Sequence, residues 1–142
     1  MMSEPKTVLI IDDDSDYVRA IQALLESAGY RVRSASNGRD GLQLAKAVEP
    51  DLILLDIIMT ERTEGFFVLQ EMRRDPALAK TPVIVVSSIY ADEPAFRVDP
   101  EAGWLPANLF LAKPLEPARL LAEAARLTSN PSDTSSISAG GR

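Results

Sequence analysis

The stretch TVLIIDDD, residues 7–14, sets a short run of mainly aliphatic side chains directly against three aspartates. A second stretch of the same kind, LILLD at residues 52–56, also ends on an aspartate. Apolar runs of this length are typical of strands that are buried on both faces, as in a parallel sheet covered by helices on both sides. The carboxyl ends of such strands meet along one edge of the sheet, so we expect the acidic ends to lie together.

Outward from these two strands, short apolar runs alternate with amphipathic segments. The pattern predicts helices over residues 14–28, 40–48, about 66–74 and from 117 to about 127. It predicts further strands over residues 31–35, 83–86 and 109–111. Gly29 is placed to cap the first helix. The apolar stripe of this helix, which should face the core, consists of Tyr17, Val18, Ile21, Leu24, Leu25 and Ala28. The alternation indicates an α/β fold with a doubly wound, five-stranded parallel sheet.

The segment between the last two predicted strands departs from this alternation. It carries Pro94, Pro100 and Pro106, and an interior proline removes a helix hydrogen bond and clashes with the preceding turn. We therefore expect the fourth helix to be irregular or shortened. Residues 129–142 are rich in Ser and Gly and predict a disordered tail after one domain spanning residues 1–128.

Composition narrows the chemistry that the chain can perform. Its 142 residues, 46% of them hydrophobic, suit one domain with a single sizeable core. A formal net charge of -6 gives no general basic surface, so we expect no direct nucleic-acid binding. With no histidine or cysteine, imidazole and thiolate chemistry are excluded. The first apolar run is too short to cross a membrane, and a cytoplasmic protein without membrane insertion is expected.

Polar residues with complementary chemistry follow four of the predicted strands. They are Asp12 and Asp13, Asp56, Ser87, and Lys113. Three carboxylates in one cleft repel each other unless a cation lies between them, and a site of oxygen ligands with room for water suits Mg²⁺. A carboxylate can also attack phosphorus, which makes Asp56 a candidate nucleophile. Lys113 and Ser87 could then contact the phosphoryl oxygens.

The segments LIIDDD, PDLILLDIIM, PVIVVSS and FLAKP, in this order and spacing, resemble the receiver domains of response regulators in two-component signalling. The resemblance covers roughly residues 6–127. It implies a flavodoxin-like strand order, 2-1-3-4-5. It also implies a set of roles: Asp12, Asp13, Asp56 and the backbone carbonyl of Ile58 for the metal, Asp56 for phosphorylation, Lys113 for the phosphoryl group, and Ser87 and Phe110 for the conformational switch.

The function implied by the resemblance is that of a phosphoacceptor. Asp56 would take a phosphoryl group from a histidine kinase or phosphotransfer protein, with Mg²⁺ as cofactor. The protein would be a stand-alone receiver that signals to an output protein which the sequence does not identify. Apart from its own phosphoryl transfer and dephosphorylation, it would not be an enzyme.

Two other functions remain open on the residues. A receiver-like interaction module acting without phosphorylation is suggested by the segment at residues 60–65 and by the proline-rich fourth helix, both of which differ from the family pattern. A magnesium-dependent phosphohydrolase is suggested by Asp12 and Asp14, although no later acidic pair follows Lys113 to complete its metal site.

Several residues also have plain structural interpretations. Asp14 and Asp16 suit the start of a helix, as N-cap and first-turn acids. Phe67 either exposes apolar surface to a partner or is buried, and burial is the ordinary state of Phe. Phe110 could equally be a core residue on a short strand.

Overall fold

Five parallel strands form the centre of the protein. The computed structural model describes residues 5–56, 64–87, 109–112 and 115–128, except for the side chains of residues 64–66, 87, 110 and 112. The strands are β1 (Thr7–Ile11), β2 (Arg31–Ala35), β3 (Leu52–Asp56), β4 (Val83–Ser87) and β5 (Leu109–Ala112). Their order is β2-β1-β3-β4-β5, with every neighbouring pair parallel. The predicted sheet and its strand order are confirmed.

Four helices are described in the same ranges: α1 (Ser15–Ser27), α2 (Gly38–Val48), α3 (Glu64–Arg74) and α4 (Pro117–Leu127). Helix α2 begins two residues before the predicted start. The Asn37 side chain accepts a hydrogen bond from the Asp40 backbone N–H at 2.8 Å and so acts as the N-cap of α2. This cap lets the helix begin at Gly38 rather than at Asp40. The predicted helix between residues 88 and 108 and the tail from residue 129 lie outside the described residues.

The two faces of the sheet carry separate hydrophobic clusters because alternate strand residues point to opposite sides. On one face, Leu9, Ile11, Ile53 and Leu55 pack with residues of α2 and α3. On the other face, Val8, Ile10, Leu52 and Leu54 pack with residues of α1 and α4. Every residue of β3 is buried. This explains why its sequence is continuously apolar up to Asp56.

The helix surfaces correct two expectations. Ala28, predicted on the buried stripe of the first helix, is exposed, because it lies at the C-cap where the chain turns away at Gly29. Gly29 itself has φ of 99°, the left-handed geometry that its predicted capping role requires. Phe67 is 61% exposed on α3, so the expectation of burial was wrong for this residue.

The amino ends of β1 and β3 are joined by a reciprocal pair of hydrogen bonds. The backbone N–H of Thr7 donates to Asp51 Oδ2 at 2.8 Å, and the backbone N–H of Asp51 donates to the Thr7 carbonyl at 2.8 Å. Together the two bonds fix the register of β1 against β3 at the end of the sheet opposite to Asp12 and Asp56.

Helix α2 lies unusually close to β1 at Gly41. A Cβ at this position would lie 2.6 Å from Ile11 Cδ1 and within 2.9 Å of two further Ile11 atoms. Ile11 immediately precedes Asp12, so the absence of a side chain at Gly41 also determines how closely α2 approaches the acidic end of the strand.

Gly41→Ala should lower the free energy of unfolding by about 1–3 kcal/mol, because the overlap with Ile11 exceeds the gain in helix propensity. Urea denaturation of Gly41→Ala in the wild-type and Ile11→Ala backgrounds checks this. The cost should shrink when Ile11 is truncated. An equal cost in both backgrounds would contradict the proposed overlap.

Arg73 holds the loop between α3 and β4. Its Nη1 donates to the carbonyls of Leu78, Ala79 and Thr81 at 3.1, 3.0 and 2.8 Å. Burial lowers the pKa of the guanidinium, yet the group retains its charge under all ordinary conditions. One side chain thus satisfies three carbonyls ahead of the strand that carries Ser87.

Arg73→Met should cost about 1.5–3 kcal/mol of stability, since it removes charged hydrogen bonds to partly buried carbonyls. Arg74→Met is the matched control, because Arg74 pairs with Glu71 on the exposed surface of the same helix. It should change stability by less than about 0.5 kcal/mol. Equal losses in the two variants, measured by urea denaturation, would show that Arg73 has no special role.

Candidate functional site

Strand register brings Asp12 and Asp56 side by side. Ile11 on β1 is paired with Leu55 on β3. The next residue after Ile11 is Asp12, and the next after Leu55 is Asp56, so both aspartates lie at the carboxyl end of the sheet. The two carboxylates therefore meet as a direct consequence of parallel pairing between the two central strands.

Backbone hydrogen bonds hold the loop that carries the acidic pair, Asp12 and Asp13. The Asp12 N–H donates to the Ala35 carbonyl at 3.1 Å, which ties the loop to β2. Asp12 Oδ1 accepts from the Asp14 N–H at 3.0 Å, and Asp14 Oδ1 accepts from the Tyr17 N–H at 3.1 Å. The predicted N-cap role of Asp14 is confirmed, and it anchors the loop to the start of α1.

The carboxylates of Asp12, Asp13 and Asp56 form one cluster. Each offers an oxygen atom, and these atoms all lie within 4.8 Å of one another. Asp12 and Asp56 are buried, at 3% and 5% exposure, whereas Asp13 is exposed. At an effective dielectric constant of about 20, two unit charges at this separation repel by about 3 kcal/mol.

This donor set fits a hard divalent cation. Its atoms are all carboxylate oxygens, the ligands that Mg²⁺ and Ca²⁺ prefer, and the exposed side chain of Asp13 leaves one side open to water and to a further ligand. Mg²⁺ commonly keeps several waters beside one or two carboxylates, which matches such a half-open site. A cation there would also offset the repulsion among the three carboxylates.

The other residues predicted for the site are only partly described. Ser87 ends β4 and is paired with Ala112 of β5, and the chain reaches Lys113 one residue later. Phe110 lies within β5 opposite Val85. The side chains of Ser87 and Phe110, and the whole of Ile58 and Lys113, lie outside the described part of the chain.

Tyr17 is a neighbour of the cluster that the sequence indicated only as a core residue of α1. Its hydroxyl is buried. Its pKa is raised, first by burial and then by the negative charges of Asp12, Asp56 and Asp14, while the backbone of Leu115 acts in the opposite direction. The cluster therefore affects a half-buried side chain that also contacts the segment leading into α4. Apolar spacing in α1 could not reveal this electrostatic relation.

Arg19 is a second neighbour that sequence reasoning missed. It lines a cavity of about 370 Å³ together with Asp12 and Asp13. Ser15 and Gln22 line the same cavity, four residues before and three residues after Arg19 on one face of α1. Its position four residues after Ser15, the first residue of the helix that follows the acidic pair, was the signal that could have identified it.

Residues 8–125 match the family model of the response regulator receiver domain. The chain belongs to the response regulator receiver family. Receiver domains bind Mg²⁺ at an acidic site and interact with histidine kinases or phosphotransfer proteins, and they are generally signalling modules rather than enzymes. The resemblance seen in the sequence motifs is confirmed.

Known receivers are similar to this chain over most of its length. It is 31% identical to the polar-differentiation response regulator DivK of Brucella anthropi over 82% of this chain and 91% of that protein. The receiver domain of the sensor histidine kinase PA1611 from Pseudomonas aeruginosa, solved with a magnesium ion in its active-site cleft, superposes with a TM-score of 0.75 at 25% identity. That alignment covers 89% of this chain and 99% of the neighbour. The chemotaxis protein CheY4 of Vibrio cholerae gives 0.72 at 27% identity, covering 87% and 98%.

Other relatives are longer than the matched region. The receiver spans 34%, 66% and 48% of the length of three curated relatives: the transcriptional regulator RpaA of Synechocystis, and the proteins PilH and GltR of P. aeruginosa. Across its described residues, the receiver has no helix that combines the length and the apolar character needed to cross a membrane.

Tyr17 should ionise well above the ordinary tyrosine pKa of about 10, and its ionisation should shift downwards in Asp56→Asn, since that variant removes one of the charges opposing the phenolate. Because the folded pKa is the higher one, Tyr17 contributes stability that is present below about pH 10 and is lost as the pH rises through its folded pKa. Tyrosinate absorbance followed against pH, without added metal, measures the shift. Asp16→Asn, which removes the same charge in the first turn of α1, is the control and should leave the titration unchanged.

Proposed function

We propose that this receiver is a phosphoacceptor in which Asp56 takes a phosphoryl group from a histidine kinase or phosphotransfer protein. The observation that carries the proposal is the position of Asp56 at the buried end of β3, with its carboxylate within 4.8 Å of those of Asp12 and Asp13. A nucleophile held at a fixed point beside a cation site meets the main requirement of phosphoryl transfer, which is positioning with charge stabilisation.

In the proposed reaction, a carboxylate oxygen of Asp56 attacks phosphorus in line with the bond to the donor. The phosphorus–nitrogen bond of the phosphohistidine breaks, its electron pair stays on the imidazole nitrogen, and an acyl phosphate forms on Asp56. Asp12, Asp13, Asp56 and the backbone carbonyl of Ile58 would hold Mg²⁺. When bound, this ion neutralises the negative charge of the phosphoryl oxygens.

The remaining roles follow from the family motifs. Lys113 would pair with one phosphoryl oxygen, and the Ser87 hydroxyl would donate a hydrogen bond to another. Ser87 and Phe110 would then form the switch that shifts the protein between two surface conformations. β5 carries Phe110 beside β4, the strand that ends in Ser87, and this adjacency supports their acting together.

The proposed partners are a phosphodonor protein and an output protein, with no direct contact to nucleic acid. Action as a stand-alone receiver is supported by the match to 91% of the length of DivK. Residues 1–128 would form the receiver domain, and residues 129–142 a Ser- and Gly-rich tail. We place its action in the cytoplasm, where histidine kinases present their phosphohistidine.

Incubation with acetyl phosphate and MgCl₂ should add one phosphoryl group to the wild-type protein and none to Asp56→Asn, as read by intact-protein mass. The adduct should be cleaved by hydroxylamine, the reaction expected of an acyl phosphate. Asp16→Asn is the matched control, because Asp16 is an exposed carboxylate in the first turn of α1 that lies outside the cluster. It should be phosphorylated normally.

A phosphoryl adduct on Asp56→Asn would show that another residue is the acceptor. Magnesium binding to the wild-type protein without an adduct from acetyl phosphate, a histidine kinase or a phosphotransfer protein would instead support a module that acts through interaction alone.

A further inference from the structure

The cavity that Arg19 shares with the acidic pair lies between α1 and the carboxyl end of β2. Its wall is formed on the α1 side by Ser15, Val18, Arg19 and Gln22, and on the β2 side by Ser34, Ala35 and Ser36. Asp12 and Asp13 also line it. An exposed arginine, which is permanently charged, and two aspartates therefore share one solvent-accessible cavity.

Arg19 and Asp56 approach the acidic pair from opposite sides. In the sheet, β1 is flanked by β2 on one side and by β3 on the other. Asp56 belongs to β3, whereas the strand that lines the cavity is β2. Arg19 thus shares a cavity with Asp12 and Asp13 on the β2 side of the acidic pair, whereas Asp56 lies on the β3 side.

We propose that Arg19 sets the magnesium affinity of the site, weakening it by charge repulsion. This rests on the proposed magnesium site and goes beyond it by assigning the tuning of its affinity to a residue outside the ligand set. A fixed positive charge beside Asp12 and Asp13 partly compensates them when no cation is bound, and it repels the cation when one enters. Because the cavity admits water, the interaction is screened and its effect is several-fold rather than a loss of binding.

The test is a titration of the full chain with MgCl₂ at low ionic strength, followed by backbone amide chemical shifts. Arg19→Gln should lower the dissociation constant about threefold, as expected for a charge removed across a hydrated cavity. Arg19→Lys keeps the charge and should bind like the wild type. Arg31→Gln is the matched control: it changes the net charge equally, and Arg31 is exposed like Arg19, but it is paired with Thr7 at the far end of β1.

Salt provides a second criterion. The difference between wild type and Arg19→Gln should disappear towards about 1 M salt, where the Debye length falls to about 3 Å. Equal affinities of Arg19→Gln and Arg31→Gln, or weaker binding by Arg19→Gln, would overturn the role of Arg19. Absence of magnesium binding in the wild type would overturn the metal site itself and the inference with it. The wild-type titration therefore tests the metal site, and the comparison of the two variants tests the role of Arg19.

Discussion

The parallel pairing of β1 with β3 forces two carboxylates together, and the rest of the site is arranged around that contact. Asp12 and Asp56 follow paired residues of the two central strands, and both are buried. Their repulsion, about 3 kcal/mol per pair of charges at an effective dielectric constant of about 20, is opposed by strands made of fully buried aliphatic residues. Each such side chain contributes about 1.5–3 kcal/mol on burial, so the sheet can hold the charges together.

Residues of α1 and α2 surround the contact between Asp12 and Asp56 but do not create it. The Asp14 carboxylate caps the first turn of α1, so only two of the three consecutive aspartates belong to the cluster. Gly41 allows α2 to lie against Ile11, directly behind Asp12. The Tyr17 hydroxyl is buried near the cluster, and Arg19 lines the cavity that Asp12 and Asp13 also line. Backbone geometry brings the acids together, and side chains of α1 lie around them.

Much of this arrangement could be predicted from the sequence, for identifiable physical reasons. Continuous apolar runs ending in aspartate, as in β3, specify both a buried strand and the edge at which its acid emerges. Helix starts were less certain, because Asn37 caps α2 through a side-chain bond that apolar periodicity does not contain. Phe67 was expected to be buried on the general preference of Phe, but it is exposed on α3. The proximity of Arg19 and Tyr17 to the acids could not be predicted, because it depends on how α1 packs against the sheet.

The reciprocal bonds between Thr7 and Asp51 have a mechanical consequence for any event at the opposite end of these strands. These bonds hold the two strands in register at their amino ends. We therefore expect a change of charge at Asp56 to leave that register unchanged, so that the sheet acts as a fixed frame for the carboxylates of Asp12 and Asp56.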